Sequence, residues 1–177
     1  MCSSDLLCTT GLSEEGLSHV KRAAKKIAIL RSANMSLGIN TLMDLLKRFS
    51  KIFTDAGFDV EIVEAHHNQK VDAPSGTALA LADSVAEGSG VDFEYVYERQ
   101  SKRQKRDARE LGISSIRGGN VVGTHEVMFL GQDEQIVFRH EATSKSVFAK
   151  GALEASKFLA GKDAGMYDMQ DVIAARV

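Results

Sequence analysis

Proline and cysteine are scarce in this chain of 177 residues. Pro74 is the only proline, whereas an average chain contains about 5%, so this one indicates a backbone turn that matters. Cys2 and Cys8 are the only cysteines, and their spacing to the histidines is not that of a metal site. They indicate a reducing compartment, and a chain of this length can bury enough surface to fold without a disulfide scaffold.

Long hydrophobic runs and an excess of charge are missing too. No apolar run approaches the ~20 residues of a transmembrane helix, and the N-terminus lacks the basic start and apolar core of a signal peptide. A formal net charge of −2 gives no reason to expect nucleic acid as a partner. The sequence therefore predicts a soluble, cytoplasmic protein without membrane or nucleic acid partners. Its length fits one domain, or one domain and part of another.

The N-terminal part has the pattern of a strand–helix–strand unit. A short strand ends in the turn at 6–11, Ser13 is a good N-cap for a helix, and the apolar run 27–30 is typical of a strand buried on both faces. A single such unit cannot bury both faces of its sheet. We therefore expect the segments around Leu6 and 27–30 to be partly exposed or covered by another subunit.

The remaining pattern predicts an α/β protein with a mixed, largely antiparallel sheet. Helices are expected at 42–53, 79–86 and 146–160, and strands at 58–62, 93–97, 113–117, 121–130 and 135–141. Turn signals at 118–120 and 131–133 join successive strands, which favours antiparallel hairpins. The tail after 161 carries no clear pattern.

The segment 99–109 contains six basic residues and one acid, Asp107. Such a run is either a phosphate-binding patch or a solvated, mobile loop. Because no aromatic residues are interleaved with the basic ones, we favour the loop.

The stretch 61–78 concentrates the chemistry of the chain in the sequence EIVEAHHNQKVDAPSGTA. His66 directly follows a predicted strand, where loops present side chains to ligands, and imidazole is the group best suited to proton transfer near pH 7. Lys70 lies four residues further on and can donate a proton or bind a carboxylate. These two residues predict a proton-donating site.

The turn Ser75-Gly76-Thr77 adds an anion-binding element to this stretch. At a helix start it offers backbone N–H groups, two hydroxyls and the positive end of the helix dipole, and Gly76 permits close approach of a ligand. Together with His66 it predicts a small anionic substrate that is protonated during the reaction. Alternatives are a surface histidine pair with an ordinary helix start, or zinc bound by His66, His67 and Asp72.

The stretch 61–78 resembles the signature of 4-hydroxy-tetrahydrodipicolinate reductases, also called dihydrodipicolinate reductases. Further segments are similar to parts of the same family, namely 9–11, 33–38, 117–125 and 148–152. The resemblance implies that 1–36 and 142–177 are the remnant of a Rossmann-like dinucleotide-binding domain. It also implies that 37–141 form a domain for substrate binding and oligomerisation.

The resemblance further implies an NADPH- or NADH-dependent reduction in lysine and diaminopimelate biosynthesis. The substrate would be a cyclic dicarboxylate, 4-hydroxy-tetrahydrodipicolinate, which is converted to tetrahydrodipicolinate by a homotetramer. His66 would be the general acid and Lys70 a second proton donor. The implied substrate-binding residues are His67, Ser75, Gly76 and Thr77, and the implied cofactor-binding residues are Cys8, Thr9, Thr10, Ser32, Ala33, Asn34 and Met35.

Three departures from the family pattern open a second hypothesis. Met1 stands almost directly before the Thr-Thr-Gly loop, without the glycine-rich pyrophosphate loop that such domains carry. Cys8 takes the place of a glycine, and Lys145 that of an arginine with a planar, bidentate donor group. The chain is thus either an active reductase or a truncated, inactive module that binds substrate and oligomerises. A zinc hydrolase is a third, weaker hypothesis.

Overall fold

A computed structural model describes residues 4–9 and 11–176. In chain order its elements are β1 (Ser4–Leu7), α1 (Glu14–Ala23), β2 (Ala28–Arg31), α2 (Leu37–Asp55), β3 (Asp59–His66), α3 (Gly76–Ser89), β4 (Glu94–Val96), β5 (Glu110–Arg117), β6 (Gly123–Leu130), β7 (Gln135–Ala142), α4 (Ser146–Leu159), β8 (Gly165–Tyr167) and α5 (Met169–Ala174). The predicted α/β class is confirmed. No helix among the described residues is long and apolar enough to cross a membrane.

The described part of the chain divides into two compact units. Unit 1 comprises the described residues of Met1–Thr41 and Lys145–Val177, and unit 2 is Leu42–Ser144. The domain bounds expected from the sequence, at 36/37 and 141/142, lie close to these borders. The functional assignment of each unit stays a prediction.

Unit 1 is built on a three-stranded parallel sheet in the order β1-β2-β8. The central strand β2 is buried throughout Ala28, Ile29 and Leu30, as its continuous apolar run predicts. The expectation that this strand would be partly exposed or covered by another subunit is wrong, because these residues are buried within the chain. Strand β8 supplies the second neighbour, and residues of α4 and α5 such as Leu159 and Val172 join Leu30 in one core cluster.

Side-chain caps begin several of the described helices. The Ser13 hydroxyl accepts the backbone N–H of Gly16 at 3.2 Å at the start of α1, as its sequence signal predicts. Ser75 caps α3, and Asp168 forms a capping box that begins α5. Helix α5 and strand β8 escape prediction because six and three residues are too few to establish a period.

Unit 2 is built on a five-stranded mixed sheet in the order β4-β5-β3-β6-β7. The pairs β4·β5 and β5·β3 are parallel, whereas β3·β6 and β6·β7 are antiparallel. The β6–β7 hairpin is as predicted, but a β5–β6 hairpin is wrong because β3 lies between the two strands. The connecting turn spans the end of β3, where Gly118 N–H donates to the His66 carbonyl at 3.0 Å. The alternation of polar and apolar residues specifies which face of a strand is buried, but it does not specify which strand lies next to it.

Helices α2 and α3 cover one face of this sheet. The rings of Phe53 on α2 and Phe129 on β6 have centroids 4.6 Å apart. The two helices approach closely at Gly88, where an added Cβ would lie 2.5 Å from the carbonyl oxygen of Lys47. Helix α3 contributes a fully buried set of small and branched residues, namely Ala78, Leu81, Ala82 and Val85. The start of α3 is thereby placed against the end of β3.

The basic segment 99–109 is anchored to the sheet by ion pairs. Arg106 donates to Asp59 at 2.7 Å and to Glu61 at 3.1 Å, and its side chain is only 17% exposed. Arg99 and Lys102 both pair with the buried Glu110. The prediction of a solvated loop therefore fails at Arg106, because these guanidinium and ammonium groups neutralise carboxylates of the same unit.

Candidate active site

The end of strand β3 carries two polar side chains into a buried position. Strand periodicity places Glu64 and His66 on the same face as Val60 and Ile62, the core residues of the strand. Glu64 is 0% and His66 9% exposed. A buried carboxylate is costly unless it is paired and hydrogen-bonded, so the partners of Glu64 define the local structure.

Glu64 accepts hydrogen bonds on both carboxylate oxygens. Arg117 is a bidentate donor, with Nη1 2.9 Å from Oε2 and Nη2 2.7 Å from Oε1. The Ser75 backbone N–H lies 3.1 Å from Oε1, and His66 Nδ1 lies 2.6 Å from Oε2. Burial alone would raise the pKa of Glu64, but hydrogen bonds from Arg117, Ser115 and His66 outweigh it and lower the pKa to about 2. Glu64 is therefore an anion near neutral pH.

The imidazole of His66 lies against a glycine on the neighbouring strand. A Cβ added to Gly123 would lie 3.1 Å from His66 Nε2 and 3.5 Å from Cδ2. The His66 ring also packs edge-on against His125, with centroids 5.1 Å apart. The ring is thus held through Nδ1 on one side, while the absent side chain at 123 leaves space beside Nε2.

His125 forms a second buried contact at this place. Its Nε2 lies 3.1 Å from the Ser75 hydroxyl, which also accepts the Ala78 N–H at 3.2 Å. Burial, with a further contribution from the charge of His66, lowers the pKa of His125 to about 4. His125 is therefore a neutral side chain at pH 7, and the Ser75 hydroxyl is engaged with the helix cap and with His125.

Lys70 lies in the loop that follows β3 and is linked to the same network. Its Nζ forms an ion pair of 2.8 Å with Asp72, and the hydrogen bond from Lys70 lowers the pKa of the Asp72 carboxyl. The Asp72 carbonyl accepts Nη2 of Arg117 at 2.7 Å. Arg117 therefore connects the carboxylate behind His66 with the loop that carries Lys70.

The start of α3 completes the cluster. The Ala73–Pro74 peptide bond is cis and precedes the N-cap Ser75. Gly76 is exposed, and nothing lies within 4 Å of the position that a Cβ would occupy. A helix N-terminus with open space beside a glycine suits a carboxylate ligand. The structure thus brings Ser75 and Gly76 to the network of His66 through the bond from Ser75 N–H to Glu64.

The residues expected to bind the cofactor lie in unit 1. Cys8 and Thr9 are exposed and follow β1, whereas Thr10 lies outside the described residues. The segment 32–35 follows β2, which runs parallel to β1 with Leu7 opposite Arg31. Both segments therefore leave the sheet at the same edge, the carboxyl ends of parallel strands where nucleotides bind in such folds.

Hydrogen bonds and close packing hold the segment 32–35 in place. The Asn34 side chain accepts the Ser36 N–H at 2.8 Å, and Asn40 donates to the Asn34 carbonyl at 2.8 Å. Gly151 of α4 lies so close that an added Cβ would overlap the carbonyl oxygen of Met35. The ordered backbone at this sheet edge fits a role in holding a nicotinamide cofactor.

Comparison with known proteins identifies the family. A family model described as "Dihydrodipicolinate reductase, C-terminus" matches residues 38–173, which contain all of the residues around His66 described above. The chain belongs to the dihydrodipicolinate reductase family. The resemblance of the stretch 61–78 to this family is thereby confirmed.

Relatives extend the match beyond the range of the family model. A 4-hydroxy-tetrahydrodipicolinate reductase of Caldanaerobacter subterraneus subsp. tengcongensis is 51% identical over 168 residues, which are 95% of this chain and 66% of the relative. The protein of the same name from Clostridium tetani is 52% identical over 165 residues, covering 93% of this chain and 64% of the relative. The chain spans about two-thirds of the length of these relatives.

A solved structure shares the fold. The dipicolinate-bound dihydrodipicolinate reductase of Paenisporosarcina sp. TG-14 matches with a TM-score of 0.69 at 24% sequence identity. The match covers 95% of this chain and 64% of that chain. At this level of identity the likeness concerns the arrangement of helices and strands.

Three residues of this dihydrodipicolinate reductase family member were missed at the sequence level: Glu64, Arg117 and His125. A signal for Glu64 was present, because strand alternation puts it in phase with Val60 and Ile62 and so predicts a buried charge that needs a partner. Nothing in the sequence designates Arg117 as the partner of Glu64 or His125 as the partner of Ser75, since the members of each pair are about fifty positions apart.

The zinc hypothesis gains no support from the geometry. Among residues 4–9 and 11–176, no group of three or more His, Cys, Asp or Glu side chains is placed to hold a metal ion. His66 Nδ1 is instead bonded to Glu64, and Asp72 is paired with Lys70.

Proposed function

We propose that the chain acts as an NAD(P)H-dependent 4-hydroxy-tetrahydrodipicolinate reductase of lysine and diaminopimelate biosynthesis. The product would be tetrahydrodipicolinate, formed by addition of a hydride and a proton with the 4-hydroxyl group leaving as water. The observation that carries the proposal is the coupling of His66 to the ionised Glu64, with Lys70 and the start of α3 tied into the same network. Proton donors beside an anion-binding helix start suit the reduction of a small cyclic dicarboxylate.

In this proposal His66 and Lys70 are the catalytic residues. Because Nδ1 of His66 faces Glu64, Nε2 is the atom that passes a proton to the substrate. The Lys70 ammonium, held by Asp72, is the second proton donor. His67, Gly76 and Thr77 bind the substrate carboxylates, and Ser75 shapes the helix start through its cap. When bound, the nicotinamide cofactor supplies the hydride.

The cofactor would be held in unit 1 by the residues that follow β1 and β2. These are the predicted cofactor residues Cys8, Thr9, Thr10, Ser32, Ala33, Asn34 and Met35. The described members lie at the carboxyl edge of a parallel sheet, which supports a nucleotide site. Either NADPH or NADH would serve.

A substrate-binding and oligomerisation module is the second candidate. It is supported by the location of every predicted catalytic and substrate residue in unit 2, apart from the cofactor residues of unit 1. Such a module would bind the dicarboxylate without turning it over.

Binding and turnover distinguish the two candidates. Calorimetric titration with pyridine-2,6-dicarboxylate, NADPH and NADH is expected to show binding of the dicarboxylate and of a nucleotide. Turnover of the cyclic substrate, followed by nicotinamide absorbance, is expected as well. Dicarboxylate binding with neither nucleotide binding nor turnover would support the module. Absence of dicarboxylate binding would contradict both candidates.

A substitution at His66 tests the assignment of the general acid. Replacing His66 with alanine should lower kcat by about 100-fold or more, because general acid catalysis contributes at least that much. The control is His19→Ala on the exposed surface of α1, which should retain wild-type kcat. Unchanged turnover in His66→Ala would contradict the assignment.

A further inference from the structure

We propose that Glu64 and Arg117 are positioning residues that fix the tautomer and orientation of His66. The inference rests on the proposed function for what His66 does in the reaction. How the His66 ring is held is inferred from contacts within unit 2 alone. Neither residue touches substrate in this proposal, so their effect on the reaction is exerted through the imidazole.

Hydrogen-bond donors surround the Glu64 carboxylate, and besides the Ser115 hydroxyl they make four contacts of known geometry. Oε1 faces Nη2 of Arg117 and the Ser75 N–H, and Oε2 faces Nη1 of Arg117 and Nδ1 of His66. An ionised carboxylate only accepts hydrogen bonds. Guanidinium and backbone N–H groups only donate, so three of the four contacts have fixed roles. The fourth partner, Nδ1 of His66, must therefore carry its hydrogen.

This contact determines which nitrogen of the neutral ring is available for chemistry. With hydrogen on Nδ1, Nε2 carries the lone pair and gains or passes on the proton that reacts. The same carboxylate accepts from Nδ1 when the ring is doubly protonated, so the ring keeps one orientation in both states. Gly123 contributes by leaving space at Nε2, where a Cβ would lie 3.1 Å away.

Arg117 has a separate part in this arrangement. It supplies a bidentate countercharge to a carboxylate that is completely buried, and a buried charge without a partner is strongly destabilising. It also donates to the Asp72 carbonyl at 2.7 Å, the residue whose carboxylate pairs with Lys70. One guanidinium thus supports the positions of both proposed proton donors.

Replacing Glu64 with glutamine gives a sharp test, because an amide has one accepting and one donating end. The donating end must face either His66 or the Ser75 N–H, and Arg117 donates at both positions. The Ser75 N–H and the Arg117 guanidinium cannot accept a hydrogen bond, whereas the imidazole can change from donor to acceptor, as can the Ser115 hydroxyl that also bonds to Glu64. The NH₂ group of Glu64→Gln should therefore face His66 and drive the neutral ring to the Nε2–H tautomer.

Nuclear magnetic resonance measures the tautomer directly. Long-range ¹H–¹⁵N correlations on protein with ¹⁵N-labelled histidine, at a pH where the ring is neutral, distinguish Nδ1–H from Nε2–H. The chain has five histidines, and the spectrum of His66→Gln assigns the signal of His66. The wild-type chain should show Nδ1–H, and Glu64→Gln should show Nε2–H.

The matched control is Glu110→Gln. Glu110 is also a buried glutamate of the same sheet, paired with Arg99 and Lys102 instead of an imidazole. It should leave His66 in the Nδ1–H form. If Glu64→Gln does not fold, the wild-type spectrum still decides, because an Nε2–H tautomer there would overturn the proposal. An Nδ1–H tautomer in folded Glu64→Gln would overturn it as well.

Kinetics separate positioning from general stability. In Glu64→Gln, kcat should fall by about 100-fold or more, the contribution of a general acid, while the Kd for pyridine-2,6-dicarboxylate changes much less. Glu110→Gln should retain kcat. An Nδ1–H wild type without any turnover would contradict the proposed function but support the positioning of His66. Turnover by a wild type with the Nε2–H tautomer would support the proposed function but contradict the positioning of His66.

Discussion

His125 shows how burial alters the titration of a single residue. The pKa of its imidazole falls from 6.5 to about 4 in the folded chain, chiefly through burial and secondarily through the charge of His66. The pKa of His140 is also lowered by burial. Glu64 contributes in a separate window, because its pKa falls from 4.5 to about 2. The folded state therefore holds fewer protons at His125 than the unfolded chain in mildly acidic solution.

The first prediction concerns this proton difference. Below pH 6.5 the unfolded chain binds a proton at position 125 before the folded chain does, so the free energy of unfolding should fall as pH drops to 4. The contribution of His125 is at most about 3 kcal/mol. Loss of stability linked to Glu64 should follow between pH 4.5 and 2, where the unfolded chain protonates this carboxylate while the folded chain keeps it ionised.

Urea unfolding at a series of pH values measures the effect. His125→Gln should show a smaller fall in the free energy of unfolding between pH 6.5 and 4 than the wild type, whatever its stability at pH 7. His19→Gln, a substitution on the exposed surface of α1, should retain the wild-type slope. Equal slopes for His125→Gln and wild type would contradict the prediction.

Helix α4 illustrates a constraint at the scale of an element. Its residue Gly151 packs against the carbonyl of Met35, in the segment that follows β2. A methyl group there would meet backbone atoms, which have no rotamer through which to move away. The helix therefore needs glycine at this position despite the cost of glycine in a helix interior.

The second prediction is that Gly151→Ala destabilises unit 1. The overlap should cost about 3 kcal/mol or force the segment 32–35 to shift, which would also weaken nucleotide binding. Gly16→Ala in α1 is the control, since its nearest contact would be an ordinary 3.5 Å to the Ser13 hydroxyl. Urea unfolding measures the free energy of unfolding of both variants. Comparable values for Gly151→Ala and Gly16→Ala would contradict the prediction.

Elements differ in how far the sequence predicts them. The cap Ser13 and the apolar run of β2 predicted α1 and a buried strand, because local hydrogen bonding and hydrophobic patterning act over a few residues. Strand β8 has three residues, too few for a period, and only its pairing with β2 makes it a strand. The position of β3 between β5 and β6 likewise depends on contacts between distant segments.

One face of the sheet in unit 2 carries exposed apolar side chains that bear on the association of the whole molecule. Ile116 on β5 and Val137 on β7 are 55% and 44% exposed. Strand register places Val63 and Met128 on the same face, opposite to that of Glu64 and His66. Exposed apolar side chains on a sheet face favour association, which agrees with the homotetramer that the family resemblance implies.

The third prediction concerns this association. Light scattering coupled to size exclusion should give a mass about four times that of the 19.2 kDa chain. Val137→Lys should yield smaller species, because burying a lysine without a partner is costly. Leu153→Lys is the control, since Leu153 is 58% exposed on α4 in unit 1. A monomeric wild type, or a tetramer that Val137→Lys leaves intact, would contradict the prediction.

The sequence by itself determined the family and the α/β class, and it predicts the stretch 61–78 as the centre of the chemistry. Caps, periodicity and a long motif are local properties, so they can be recognised without knowing where the chain returns. Only the tertiary structure decided that Glu64 is buried, that Arg117 neutralises it, and that His125 lies beside Ser75. Those contacts join residues about fifty positions apart, and the cost of burying a charge determines which of them must form.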